Sequence, residues 1–346
     1  MRDQTIYVLH EYGAASHYIA LQELCKQNNI NIEYRIFDPI SLLRNFYHKR
    51  FRLFFQSVWF LVSLPFIHQK KIVLAIAPFN KLLIPISLLL RRHKVYYHTS
   101  YSCWDGTIMA HPTSSSYLKN FWYKYISTKI LHIFAVSQKT KDELIKNRFS
   151  KSDKISVVNH SFNTLVSETP LKKDNSFIYV GRLTESKGIS ELLDIFSKRP
   201  EAEFTIVGHG ELGLMVHEYT KKYKNIKYLG YIRGLQNIIP IYQRHSFLVL
   251  NSHRTRTWEE LFGITIIEGM ACGCIPLTTD HPGPKEIITN GVDGYITKES
   301  NIEALIDNAI QMSDKRYQAM RLRTVETGNS YHCSQMSSKW NKILIP

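Results

Sequence analysis

Short apolar runs alternate along the chain with helix-length segments, the pattern of parallel βαβ units whose strands are covered on both faces. In the first half it predicts strands over residues 5–10, 31–37, 72–77, 94–98, 131–136 and 155–158. The second half offers 176–180, 203–207, 226–229, 246–250, 275–278 and 294–296. Between the two sets lies 161–175, polar, proline-containing and aperiodic, which reads as a linker. A chain of 346 residues exceeds the usual size of one hydrophobic core, so two domains are expected. The predicted bounds are 1–165 and 166–330, with 331–346 as a tail that looks helical at its start.

Candidate chemistry concentrates in the second half. Glu260 and Glu268 bracket a Phe262-Gly263 pair and run into Gly269-Met270-Ala271, a loop feeding a helix. If that helix begins near Gly263, its unpaired N–H groups and positive dipole end face whatever lies outside the loop. Glu268 then sits about one and a half turns inside the helix and Glu260 on the loop before it, so both can border one pocket. On spacing alone, paired glutamates also fit a solvated helix face. Upstream, a predicted strand ends in Gly181-Arg182 and its loop ends in Lys187-Gly188. Open α/β sheets bind ligands at the carboxyl ends of their strands, so Arg182 and Lys187 together can hold a diphosphate.

Composition narrows the setting. With 44% hydrophobic residues the chain can bury two cores. The five cysteines are odd in number and scattered, and Cys272-Gly273-Cys274 is neither a zinc nor a thioredoxin spacing, so all five are expected as reduced thiols. The N-terminus runs directly into a strand-like segment without a secretory pattern, which leads to the expectation of a cytoplasmic protein.

Charge is uneven. Residues 1–172 hold 23 Lys or Arg against 10 Asp or Glu, whereas residues 173–346 hold 21 against 19. A basic first half attracts polyanions: nucleic acid, anionic lipid or a charged acceptor. Residues 44–67 interleave Arg44, Lys49, Arg50 and Arg52 with aromatic residues. That stretch is too short and too interrupted for a membrane span. Two readings stand for it: a helix buried on the first domain's sheet, or a monotopic helix on an anionic membrane surface.

Taken together and in order, Gly181-Arg182-Leu183 with Lys187-Gly188, Ile206-Val207-Gly208-His209-Gly210-Glu211, Leu229-Gly230-Tyr231-Ile232, the Glu260–Glu268 segment and Gly283-Pro284-Lys285-Glu286 resemble the retaining, nucleotide-sugar-dependent glycosyltransferases of family 4. The resemblance covers about residues 176–297. It implies an α/β GT-B fold, two facing Rossmann-like domains with an interdomain cleft. It also implies that Arg182 and Lys187 grip the donor diphosphate, that Glu268 accepts hydrogen bonds from the ribose, and that Glu260 meets the transferred sugar. Backbone of Phe262, Gly263 and Ile264 would lie beside that sugar, the Tyr231-Ile232 main chain against the base, and Gly208 in the donor site. In the first domain the match is thinner. Gly13-Ala14 stands where the family has paired glycines, and His98 where it often has an active-site histidine contacting the donor sugar. In this fold a C-terminal helix often crosses back to the first domain, so Trp340 is expected to pack there.

The implied activity is hexosyl transfer from a nucleotide-sugar to a glycan or polyprenyl-linked acceptor in bacterial cell-surface polysaccharide synthesis, with retention of configuration. The implied place is the inner face of the cytoplasmic membrane. No cofactor and no metal are expected, because the sequence lacks an Asp-x-Asp motif and a helix N-terminus with Arg182 and Lys187 can serve in place of a divalent cation. Two other classes stay open at this point. One is a basic nucleic-acid-binding protein, against which stands the lack of any helix-turn-helix, zinc-finger or RNA-recognition signature; nucleic acid is therefore not an expected partner. The other is a catalytically silent GT-B scaffold in a polysaccharide assembly complex.

Overall fold

The structure is a computed structural model that describes residues 5–11, 15–107, 111–164, 166, 174–256 and 258–345. The chain forms two compact units. Unit 1 comprises Met1–Ser161 with Cys333–Pro346, and unit 2 comprises Phe162–His332. In unit 1 the strands are β1 (Thr5–His10), β2 (Asn31–Ile36), β3 (Lys71–Ala75), β4 (Lys94–Thr99), β5 (Ile133–Ala135) and β6 (Ile155–Val157). Unit 2 holds β7 (Ser176–Arg182), β8 (Glu203–His209), β9 (Ile226–Tyr228), β10 (Phe247–Leu250), β11 (Ile275–Thr279) and β12 (Tyr295–Thr297). Every strand predicted from the apolar runs is present, most of them within a residue or two of its expected bounds.

Each unit is built on one wholly parallel sheet. The strand orders are β2-β1-β3-β4-β5-β6 and β12-β11-β10-β7-β8-β9. The second is the doubly wound order whose direction of winding reverses between β7 and β10, where crossover helices leave on opposite faces and a crevice opens. Consistent with that, β10 pairs with β7 only at Phe247↔Phe177 and Leu248↔Ile178, so the two strands part toward their carboxyl ends. In unit 1 the reversal falls between β1 and β3.

The strands read as apolar runs because both faces are covered. In unit 2, Phe196 from the helix Ile189–Ser197 stacks on Phe204 at 4.2 Å and lies 5.1 Å from Phe177, which in turn stacks on Phe247 at 5.1 Å. Burying one such ring stabilises the fold by about 1.5–3 kcal/mol. Unit 1 uses Trp104, Trp122 and Phe149 around Phe79 and Tyr97. Some of its helices start on side-chain caps. Asp38 accepts from the Ser41 N–H ahead of Pro39–Tyr47, and Ser137 accepts from Thr140 N–H ahead of Gln138–Lys146.

The tail closes on unit 1. Trp340 is buried, with its ring 4.4 Å from Phe134, 5.5 Å from His98 and 6.1 Å from Tyr18. Lys71 Nζ donates to the Ile343 and Leu344 carbonyls at 2.7 and 3.1 Å, satisfying groups that the short 3-10 helix Ser337–Ile343 leaves open.

Candidate functional site

Arg182 is the last residue of β7, and its exposed guanidinium makes no hydrogen bond or ion pair among the described residues. The chain then passes through a 3-10 turn, Glu185–Lys187, into the helix Ile189–Ser197 by way of Gly188. Gly188 has φ +62°, and a Cβ there would collide with the Asn251 carbonyl oxygen. The left-handed conformation and the close approach both require glycine, and together they bring Lys187 over the loop that follows β10.

That loop is held by side chains. Asn251 Nδ2 donates to Glu191 Oε2 at 2.6 Å, and His253 lies between Glu191 at 2.9 Å and Glu299 at 3.3 Å. Arg254 pairs with Glu259 at 3.4 Å and donates to the Asp280 carbonyl at 3.1 Å, so this arginine braces the loop. Lys187 forms an ion pair with Glu260 and stands 4.5 Å from the centre of the Trp258 ring. Both partners of the ion pair are largely screened, with side-chain exposures of 12% and 15%, so the attraction is weakened by water far less than in a surface pair. The sequence suggested separate tasks for Lys187 and Glu260, whereas the fold joins them across 73 positions.

Behind Glu260 sits His281. Its Nδ1 accepts the Glu260 N–H at 3.2 Å, which assigns the proton to Nε2, and Nε2 lies 2.7 Å from the Ser252 carbonyl it donates to. Burial, above all, holds this imidazole below its usual pKa, in keeping with a neutral ring that accepts on one side and donates on the other. The neighbouring Gly283 N–H donates to the Glu260 carbonyl at 3.0 Å. Glu260 is thus fixed through its backbone and its side chain.

The helix Ile264–Ala271 begins at Gly263, which is left-handed with φ +89° and ψ +71°. Phe262 is buried, so its contribution outside the core is limited to backbone. Glu268 is partly buried on this helix and its carboxyl meets the Tyr242 hydroxyl. Desolvation pushes the Glu268 pKa up to about 7, with the Tyr242 hydrogen bond working against it. A carboxyl poised near neutrality, close to a helix N-terminus, is the electrostatic mark of a binding site more often than of a surface helix.

On the other side of β7, Gly208 of β8 lies so close to Gly181 that any side chain would strike its carbonyl. The Gly208 N–H donates to the Gly230 carbonyl at 2.9 Å, and the exposed Tyr231 ring meets His209 edge-on at 4.9 Å. Ile232 follows, partly buried.

The structure therefore assigns Arg182, Lys187, Gly208, Tyr231, Ile232, Glu260, Phe262, Gly263, Ile264 and Glu268 to unit 2, at or just beyond the carboxyl ends of β7 to β10. His98 belongs to unit 1, at the end of β4. It is buried, with Nδ1 3.0 Å from the Tyr18 hydroxyl, and burial drives its pKa well below the ordinary value, with His160, His17 and His10 adding to the effect. Gly13 and Ala14 lie outside the described residues. Among the described residues no group of three His, Cys, Asp or Glu side chains is placed to hold a metal ion.

Trp258, His281 and Tyr242 escaped the sequence reading. Trp258 and His281 had a signal of position: one stands two residues before Glu260, the other just before Pro282-Gly283-Pro284, where a helix cap belongs. Tyr242, 26 positions before Glu268, had none.

Residues 162–329, nearly all of unit 2, match the family described as glycosyl transferases group 1. Similar proteins include an uncharacterized glycosyltransferase of Methanocaldococcus jannaschii, 24% identical over 244 residues that make up 68% of this chain and 64% of that protein. Another is the capsular polysaccharide biosynthesis glycosyltransferase CapM of Staphylococcus aureus, 24% identical over 198 residues, 51% of this chain and 50% of CapM. The chain thus spans between about half and two thirds of the length of these relatives. Among solved structures, Anabaena HepE in complex with UDP aligns with a TM-score of 0.68 at 15% identity, covering 98% of this chain and 99% of HepE. The fold is GT-B, with two Rossmann-like domains.

Proposed function

We propose that the protein, whose residues 162–329 match glycosyl transferases group 1, is a retaining, family 4 hexosyltransferase that uses a nucleotide-sugar donor and builds a cell-surface polysaccharide. The observation that carries the proposal is the meeting of Arg182, the Lys187–Glu260 pair and the helix bearing Glu268 at the reversal point of the second sheet. Two cations, a helix N-terminus and two carboxylates suit a ligand that is anionic in its middle and rich in hydroxyls at both ends.

In this reading Arg182 and Lys187 bind the diphosphate, Glu268 accepts from the ribose hydroxyls, and Glu260 orients the transferred sugar. The base lies on the Tyr231-Ile232 main chain. Donor binding brings a phosphate oxygen to Lys187, which then bridges phosphate and Glu260. As the bond from the anomeric carbon to the diphosphate oxygen breaks, its electron pair stays on that oxygen. Arg182, Lys187 and the N–H groups at Gly263 and Ile264 stabilise the growing charge, the kind of contribution that is usually the largest single one in catalysis. The acceptor hydroxyl attacks from the face the diphosphate leaves, and its proton passes to a departing phosphate oxygen. No metal enters this scheme. In unit 1, burial keeps His98 neutral, and its Nε2 is buried without a hydrogen bond among the described residues.

The acceptor is a glycan or polyprenyl-linked sugar. Unit 1 has an open cavity of about 750 Å³ lined by Asn80, Lys81, His111, Thr113, Ser115 and Tyr117, whose polar groups and aromatic face suit a sugar ring. The capsular role of the Staphylococcus aureus relative supports a polysaccharide acceptor. UDP bound to the Anabaena structure supports a uridine donor.

Thermal-shift measurement against UDP-, GDP-, ADP- and dTDP-sugars tests the reading: one nucleotide series should raise Tm, and that donor should be consumed when lipid-linked acceptors are added. Stabilisation by oligonucleotides alone would sink it in favour of a nucleic-acid-binding protein, and donor binding without any transfer would favour a silent scaffold.

A further inference from the structure

Two helices of unit 1, Pro39–Tyr47 and Phe51–Ser63, are apolar on more sides than the protein covers. The inner face of the second is well buried: the Ile36 N–H donates to Ser57 Oγ at 3.1 Å, Phe60 stacks on Tyr7 at 4.5 Å, and Leu64 is fully enclosed. Its outer face carries Phe51, Phe55, Trp59 and Val62, spaced as one stripe and 45%, 59%, 75% and 59% exposed. Phe66 continues it, and the first helix adds Ile40, Leu43, Phe46 and Tyr47. Nine of the 21 large apolar side chains left exposed among the described residues fall in residues 40–66. Phe46 meets Phe51 and Phe54 edge-on at 5.1 and 5.2 Å, so the aromatic corner between the helices is already formed. Singly exposed apolar residues are ordinary, but a contiguous aromatic face of this kind marks an interaction surface.

Charge identifies the occupant. Residues 39–104 contain ten Lys or Arg and no Asp or Glu. Four of the ten, Arg44, Lys49, Arg50 and Arg52, stand exposed at the corner of the helix pair. A second copy of the chain docked by a two-fold axis would set these cations against themselves, which is unfavourable. A surface that is anionic outside and apolar just beneath complements both features. No helix among the described residues is long and apolar enough to cross a membrane, and the helix Phe51–Ser63, 13 residues or about 20 Å, falls short of a hydrocarbon core of about 30 Å.

We propose that this helix pair is a monotopic docking surface for an anionic phospholipid bilayer, with Phe51, Phe55, Trp59, Val62 and Phe66 entering the acyl boundary while Arg44, Lys49, Arg50 and Arg52 meet lipid phosphates. It goes beyond the sugar-transfer reading and does not depend on it. Any lipid-linked acceptor would then be met at the surface where it resides.

Co-sedimentation of the full chain tests it, using vesicles of phosphatidylcholine with and without about a third phosphatidylglycerol, at low and at high salt. The proposal expects binding to the anionic vesicles at low salt, loss of most binding at high salt, and at least about tenfold weaker binding for R50E/R52E. Phe55→Ser with Trp59→Ser should weaken it comparably, and both variants change exposed side chains and should keep the wild-type circular dichroism and Tm. Absence of anionic-vesicle binding at low salt overturns the proposal. So does equal binding to pure phosphatidylcholine, and so does a concentration-dependent dimer that the aromatic variant abolishes without any vesicle binding.

Discussion

The carboxyl edges of the two sheets share a topology and differ in chemistry. In unit 2 that edge carries ionisable groups of differing exposure: Arg182 in the open, the Lys187–Glu260 pair largely screened, and Glu268 partly buried. The matching edge of unit 1 carries His10, His98 and His160, each buried to 7% exposure or less. Burial, first of all, pushes His10 down to about 4 and His160 to about 3, with repulsion from His17 adding to both, and it holds His98 well below the ordinary value with His160, His17 and His10 adding to the effect. A parallel sheet thus fixes where loops gather, and the loops decide whether the place holds charge or excludes it. An edge of neutral rings suits hydroxyl recognition, whereas an edge of paired opposite charges suits a diphosphate.

The contrast breaks most sharply at Lys187. Lys187→Ala should cut turnover at least about tenfold and up to about a hundredfold, because a charged contact of roughly 1.5–3 kcal/mol is lost and Glu260 is left without its partner. Initial rates near the wild-type value would contradict its assignment.

Glu268→Gln sharpens the comparison through pH. The folded-state pKa stands above the ordinary 4.5, at about 7, so the folded protein binds the extra proton across that window. Stability therefore falls as pH rises from about 4.5 to about 7 and is level above it, and glutamine removes the cost. The variant should be more stable than wild type at pH 8, by about 1–3 kcal/mol, and no different at pH 4. Its donor binding should be weaker and flat with pH, whereas wild-type binding should strengthen through neutrality. Parallel melting curves at the two pH values, with and without donor, check both halves.

The smallest effect belongs to His281, which bears on the site through its bonds to Glu260 and Ser252 and its ring beside Trp258. His281→Ala should lower turnover about five- to tenfold, the loss of one hydrogen bond of about 1 kcal/mol plus loosened positioning. Because the ring holds a backbone, the change should appear in kcat more than in KM. A pure KM effect would reassign it to substrate binding.

Much of this was legible in the chain itself. All twelve strands declare themselves, since a strand covered on both faces must be apolar along its length. The start of the helix bearing Glu268 was readable from Gly263, which alone among common residues takes that turn without strain. What periodicity could not reach was partnership across distance: Lys187 with Glu260 and Trp258, and Glu260 with His281, meet only because crossover helices bring the ends of β7, β10 and β11 together. Residues 39–63 posed the opposite problem. Apolar positions all around a helix say that it is covered, and only the fold reveals that one side is covered by protein and the other is bare.

Isothermal titration of UDP into the full chain and into Arg182→Ala tests the central claim most directly. If the carboxyl edge of β7 and β10 is the diphosphate site, the wild type binds UDP and the variant, whose exposed side chain has no hydrogen bond or ion pair to lose among the described residues, binds at least about tenfold more weakly with unchanged Tm. Equal affinity in both proteins would contradict the account.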